Sequence, residues 1–247
     1  MAKITFERLA ELRQGLTDAQ IIGDAKQPGD DFVDTHETYV WYHAIAAAKV
    51  PWCILEMGVR YGYSAIAMIL GTRASDSRVN PIYIGLDNEY DGIPSNSIAH
   101  RNIYRNAGVS NQVHSIDTGD IESVRLVVGP KIWDIVHVDG DHSEQGILNE
   151  LTVAEKWVAA DGLVLVDDID TEHVRIAAEK FASKYGVIPM HIPTFHDMYL
   201  IDMGRSSGKR LTRNYTDPES RLWWESAEKA GANPPKLSVP SQKRGKL

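Results

Sequence analysis

"CILEMGVRYGYSAIAMIL", residues 53–70, is the stretch on which the fold turns. A short apolar run (53–57) breaks at Gly58, a second glycine follows at Gly62, and apolar residues resume over 64–70. A brief apolar run closed by glycine reads as a buried strand, and the longer run after it as a helix. The unit then recurs: strand 82–86 with helix 97–107, strand 113–116 with helix 121–127, strand 132–138 with helix 144–159, and strand 163–166 with helix 172–185. Strand and helix alternating over five units predict an α/β protein, a parallel sheet with helices on both faces.

The rhythm breaks at the end. Runs 187–192 and 199–203 are joined by only 193–198, too short for a crossover helix, so they should form an antiparallel hairpin at the sheet edge. Upstream, residues 4–16 have helical spacing and a turn-rich stretch runs through Gly29-Asp30-Asp31. Segment 35–49, carrying Tyr39, Trp41, Tyr42 and His43, reads as a helix that either docks on the body or covers a pocket as an aromatic lid. Three parts follow: an N-terminal helical lid or substrate region (1–50), a core (51–204) and a basic C-terminal extension (205–247). The extension is expected to be partly disordered, with one helix at 218–230 containing Trp223 and Trp224.

The totals narrow the classes. The 247 residues are 43% hydrophobic, as in ordinary globular proteins. No apolar run approaches the roughly twenty residues of a membrane span, and no basic-apolar signal segment opens the sequence. Cys53 is the single cysteine, so no internal disulfide can form, and a reducing cytoplasm is the expected setting. The net charge of −8 disfavours nucleic acid as partner, although the chain from Gly204 onward carries ten basic against four acidic residues. A homo-oligomer is compatible with all of this.

Chemistry gathers where predicted strands end. In "EMGVRYGYSA", residues 56–65, Gly58 and Gly62 would let a ligand approach the backbone, and the start of the following helix offers N–H groups to an anion. A dinucleotide fingerprint needs glycine at the first, third and sixth positions, which here hold Gly58, Arg60 and Tyr63, so NAD is disfavoured. "YIGLDNEY" ends its strand in Asp87, 29 residues after Gly58, where an acid suits ribose hydroxyls. "WDIVHVDGDHS" ends a strand in Asp139, Asp141 and His142, and "GLVLVDDID" ends the next in Asp167 and Asp168. Adjacent parallel strands lie about 5 Å apart, so Asp139 should meet Asp167 and Asp168. Carboxylates that close repel unless a cation sits among them, and all-oxygen ligands suit Mg²⁺.

The Glu-x-Gly-x-x-x-Gly-x-Ser turn resembles that of class I S-adenosylmethionine-dependent methyltransferases, over roughly residues 35–203. The resemblance implies a Rossmann-like methyltransferase fold: a seven-stranded, mostly parallel sheet with an antiparallel terminal hairpin. It implies S-adenosyl-L-methionine bound by Glu56, Gly58, Gly62, Tyr63, Ser64 and Asp87, with Thr118, Gly119 and Asp120 of "DTGDIES" near the adenine. Among metal-dependent members, catechol O-methyltransferase and its relatives hold Mg²⁺ with an acid ending strand four and an acidic pair ending strand five, matched here by Asp139, Asp167 and Asp168. "DGDHS" and "LVLVDDID" look more like the macrocin and mycinamicin sugar O-methyltransferases, which place a histidine base three residues after the first ligand, as His142 stands here. The implied catalytic residues are His142 and Asp139, the implied acceptor a small hydroxylated molecule, a sugar or natural product first.

Two other readings stand beside it. Amino methyltransferases of nucleic-acid bases would carry an Asn- or Asp-Pro-Pro-aromatic motif after strand four. Here that place reads Asp139-Gly140-Asp141-His142, and Asn233-Pro234-Pro235 lies in the tail before Lys236. The basic tail keeps a nucleic-acid hydroxyl open as acceptor, and a non-catalytic S-adenosylmethionine-binding protein is the third possibility. Asp141 reads as a helix-start acid, and Phe195, His196 and Asp197 as a pocket rim.

Overall fold

A computed structural model describes residues 4–27, 32–87, 98–110, 112–117 and 133–205. The expected adenine segment (Thr118, Gly119, Asp120), the helix at 121–127 and the tail with Trp223 and Trp224 lie outside them. Among the described residues seven strands form one sheet: β1 Cys53–Met57, β2 Ile82–Asp87, β3 Val113–Asp117, β4 Trp133–Val138, β5 Val158–Val166, β6 Met190–Ile192 and β7 Met198–Asp202. Their order is β3-β2-β1-β4-β5-β7-β6; β1 to β5 pair in parallel and β7 runs antiparallel to both neighbours. The helices are α1 Phe6–Arg13, α2 Asp18–Ile22, α3 Phe32–Thr35, α4 Tyr39–Lys49, α5 Tyr63–Ser75, α6 Ile98–Asn106, α7 Glu144–Trp157 and α8 Glu172–Lys184.

A parallel sheet covered on both faces needs strands apolar on both sides, and β1 and β4 are buried along their whole length. Leu55, Val138, Val164 and Val166 pack on one face against Ile147 and Leu151 of α7 and Ala178 and Phe181 of α8. Ile54, Ile135, Leu163 and Leu165 pack on the other against Ile45 of α4 and Ile66 and Ile69 of α5. Among the described residues no helix is long and apolar enough to cross a membrane.

Three boundaries differ in ways that shape the fold. The helix expected over 35–49 begins only at Tyr39, as α4, where the buried carboxylate of Asp18 accepts the amides of Thr38 and Val40, each at 2.7 Å, and so starts it from another helix. α7 stops at Trp157 and β5 begins at once, its first residue pairing with Trp133 across an irregular stretch. β6 is short because Pro189, which has no N–H for the ladder, stands before it. Trp41 and Tyr42 are buried, so α4 is docked on the sheet's helical layer.

Strand order reverses between β1, followed outward by β2 and β3, and β4, followed by β5. Ligands of open α/β sheets bind in the crevice beyond the strands' carboxyl ends at such a switch point. Gly58 and Asp139 stand on its two sides.

Candidate active site

Register brings the chemistry together. Met57 pairs with Val138 and Val138 with Val166, so Gly58, Asp139 and Asp167 leave three adjacent strands side by side. The amide of Asp139 donates to the Met57 carbonyl at 2.9 Å, and that of Asp167 to the Val138 carbonyl at 3.1 Å. Gly58 has φ +85°, and a Cβ there would run into the backbone of Asp139 and Gly140. A glycine is therefore required on both conformational and steric grounds, and the glycine turn abuts the acidic strand end directly.

Gly62 also has positive φ and is the N-cap of α5, with no side chain capping the helix. Oδ2 of Asp87 accepts the amides of Val59 and Arg60 at 3.0 and 2.7 Å, so this acid, expected at a ribose, also braces the glycine turn. Tyr63, nearly fully buried, accepts the amide of Gln27 at its hydroxyl at 2.8 Å. Glu56 and Ser64 were expected to face a cofactor. Glu56 is instead fully buried, with both oxygens engaged by protein groups: Ser64 and Tyr83 donate their hydroxyls to it, and His137 Nδ1 lies 2.7 Å away.

Beyond β4 and β5, His142 Nε2 lies 2.9 Å from Asp168 Oδ2 and 3.6 Å from Asp139 Oδ1. One ligand atom each of Asp139, His142 and Asp168 lies within 4.8 Å of the others. Burial, together with the charges of Asp167 and Asp168, holds the Asp139 carboxyl well above the usual carboxylate range. Hydrogen bonds donated to Asp139 and then Asp168 push the His142 imidazole up to about 11. Asp167 is also raised, by burial first, and stands apart from that trio: its Oδ2 accepts the hydroxyl of Tyr42 at 2.7 Å. The hairpin tip approaches from the other side, with His196 Nδ1 3.1 Å from Asp170 and 3.6 Å from Asp168.

The loop carrying Asp139 and His142 is held from below. Glu150 of α7 accepts the amide of Asp141 at 2.9 Å, and its carboxylate fills the space where a side chain on Gly140 would go. Asp141 accepts the Ser143 amide at 2.9 Å, and Ser143 in turn caps α7, so the helix-start reading of Asp141 describes its contact. Nothing in the sequence pattern singled out Glu150, Asp170 or Tyr83, whose partners lie 9, 26 and 27 residues away.

Both implied groups can be tested against these residues. Two positive-φ glycines and a helix start without a side-chain cap fit the polar end of S-adenosylmethionine. Burial first, and the charges of neighbouring carboxylates after it, raise Asp139 and Asp167, and acids gathered in this way fit a hard divalent cation.

Fold and sequence comparisons agree with this architecture. Residues 55–169 match the Methyltransf_24 family, a methyltransferase domain. The chain is similar in fold to the Podospora anserina methyltransferase PaMTH1 bound to S-adenosylhomocysteine (21% identity, 79% of this chain and 86% of that one, TM-score 0.51). It is likewise similar to the Streptomyces achromogenes O-methyltransferase TomG in complex with S-adenosylmethionine (18% identity, 81% and 92%, TM-score 0.52). The O-methyltransferase hkm8 of Aspergillus hancockii is 26% identical over 128 residues, covering 52% of this chain and 47% of that protein. The chain thus spans about half the length of this curated relative. Residues 55–169 are thus similar to a methyltransferase domain, and the chain shares the Rossmann-like methyltransferase fold of these solved structures.

Proposed function

We propose that this protein is an S-adenosylmethionine-dependent O-methyltransferase that methylates a hydroxyl of a small molecule, a sugar or natural product being the favoured class, with Mg²⁺ assistance. The observation that carries the reading is the contact between the Gly58 turn and the Asp139 backbone, which puts a cofactor turn against an acid and imidazole cluster at one switch point. The similarity to hkm8, an O-methyltransferase by name, supports oxygen as the methylated atom.

Methyl transfer is an in-line displacement: the acceptor oxygen bonds to the methyl carbon, the carbon–sulfur bond breaks and its electron pair stays on sulfur. A neutral alcohol is a poor nucleophile at pH 7, so its proton must leave as it attacks. His142 Nε2 would accept that proton once a bound cation engages Asp139 and Asp168, the carboxylates that otherwise hold this imidazole protonated. Asp139, Asp167 and Asp168 would hold Mg²⁺, which when bound lowers the pKa of a coordinated hydroxyl and orients it. Gly58, Gly62, the α5 start and Asp87 would hold the cofactor, with Glu56, Tyr63 and Ser64 fixing the turn from beneath. Phe195, stacked edge-on with His36 and tied through its amide to Thr38 Oγ1 at 3.1 Å, would line the acceptor side.

Calorimetric titration of the purified chain with S-adenosylmethionine, with and without Mg²⁺ and in parallel with NAD, tests the reading. S-adenosylmethionine should bind and NAD should not, and a separate Mg²⁺ site should disappear in Asp168→Ala. Cofactor binding with no Mg²⁺ site would remove the metal from the reading, and no cofactor binding would overturn it.

A further inference from the structure

Beneath the candidate metal site runs a buried polar chain that ends on Asp167 and whose other members, Glu56, His137 and Tyr42, have no chemical step in the proposed reaction. Glu56 of β1 and His137 of β4 are register partners in adjacent strands, and neither side chain is exposed. His137 Nδ1 lies 2.7 Å from Glu56 Oε1, and Nε2 lies 3.0 Å from the hydroxyl of Tyr42, which comes from α4. The same hydroxyl reaches Asp167 Oδ2 at 2.7 Å.

Counting hydrogens fixes the direction of every link. A phenol has one proton, and Tyr42 donates it to Asp167, so Nε2 of His137 must be the N–H that donates to the phenol oxygen. Glu56 already accepts the hydroxyls of Ser64 and Tyr83. A carboxylate accepting those bonds takes a third from the Nδ1–H of His137, which makes the imidazole a cation paired with Glu56. Both ring nitrogens are then spent, so the proximity of Glu56, His137 and Asp139 is an internal ion pair beside the site and not a second metal centre. What remains is a one-way relay of donors: His137 to Tyr42, and Tyr42 to Asp167.

We infer that Tyr42 is a positioning residue for Asp167: its hydroxyl, itself held by the buried His137 and Glu56 pair, fixes the direction in which this carboxylate faces the metal site. The inference rests on the reading of Asp167 as a Mg²⁺ ligand. Oδ2 of Asp167 is committed to the phenol, which leaves Oδ1, in a long 3.4 Å contact with Thr194, to face a cation. Partners that orient a ligating carboxylate in this way typically contribute about 10- to 100-fold to metal affinity. Helix α4, whose Tyr42 lies 125 positions from Asp167, would thereby belong to the metal site.

Titrating wild type, Tyr42→Phe and Asp168→Ala with Mg²⁺ and, separately, with S-adenosylhomocysteine tests this. Tyr42→Phe should weaken Mg²⁺ binding about tenfold or more while S-adenosylhomocysteine affinity stays within about twofold, a split that general loosening of the fold would not produce. Should Tyr42→Phe not fold, 3-fluorotyrosine placed at position 42 keeps the phenol, and its ¹⁹F resonance should move on adding Mg²⁺ to an otherwise wild-type chain but not in the Asp168→Ala background. Unchanged Mg²⁺ affinity in Tyr42→Phe, or a ¹⁹F signal indifferent to Mg²⁺ that the chain does bind, would overturn this inference alone. A wild type that binds no Mg²⁺ would overturn the metal reading and this inference with it.

Discussion

His137 and Glu56 face each other across adjacent parallel strands with 2.7 Å between imidazole and carboxylate, both without solvent exposure. Burial alone would pull the imidazole down. The hydrogen bond and charge of Glu56, with Asp139 and Asp167 nearby, outweigh it and bring His137 up to about 9. A buried pair of this kind adds little over an apolar pair, but removing one partner strands the other charge. His137→Leu should therefore lose about 3–5 kcal/mol of stability, read from urea unfolding at pH 7. A loss below about 1 kcal/mol would mean that the two groups are not held as a buried ion pair.

Gly58→Ala makes a different demand. The alanine would have to hold φ +85° and place its methyl against the backbone of Asp139 and Gly140, atoms that a rotamer change cannot move. The strained dihedral costs on the order of 1–3 kcal/mol, and the rest should appear as displacement of the β4 end. Displacing catalytic groups by about 1 Å commonly lowers rates by about 100-fold. Methyl transfer should fall by about that factor, with weaker S-adenosylhomocysteine binding in calorimetry, and a variant with unchanged affinity and rate would refute the close approach.

How far the sequence foretold this site depends on the range of each contact. The strand ends were legible because an apolar run that stops at Asp139 or Asp167 marks its own terminus, and parallel pairing then forces neighbours together. The edge hairpin was legible because 193–198 is too short for a crossover. Distant partners were not: the amides capped by Asp18 lie 20 and 22 residues on, and Tyr42 meets Asp167 across 125 positions. The turn motif names Glu56 for the cofactor but says nothing about side-chain direction. The register of Glu56 with His137, and Tyr83 on the next strand, turned it inward.

On the proposed mechanism His142 takes the proton of the acceptor hydroxyl. His142→Ala should lower kcat by about 10²- to 10⁴-fold and leave cofactor affinity unchanged, since the Gly58 turn is braced by Asp87 and not by His142. Single-turnover methylation of a catechol or sugar acceptor found by screening, followed by S-adenosylhomocysteine release, reads the effect. A kcat within threefold of wild type would assign the proton to another group.

Glu150 links the site loop to pH. Burial outweighs the two backbone hydrogen bonds and raises its carboxyl from 4.5 to about 7. A raised acid favours the protonated fold, so its contribution to stability is complete below about pH 4.5 and disappears as pH climbs through 7. At about 1.4 kcal/mol per unit, the change approaches about 3 kcal/mol. Glu150→Gln keeps a carbonyl to accept the Asp141 amide but has no proton to lose. The stability of wild type minus that of Glu150→Gln should therefore fall by up to about 3 kcal/mol between pH 4.5 and pH 7, measured by urea unfolding at intervals across that range. Other titrating groups cancel in the difference, so a flat profile would show that Glu150 is ionised throughout and that the Asp141 amide, not burial, governs it.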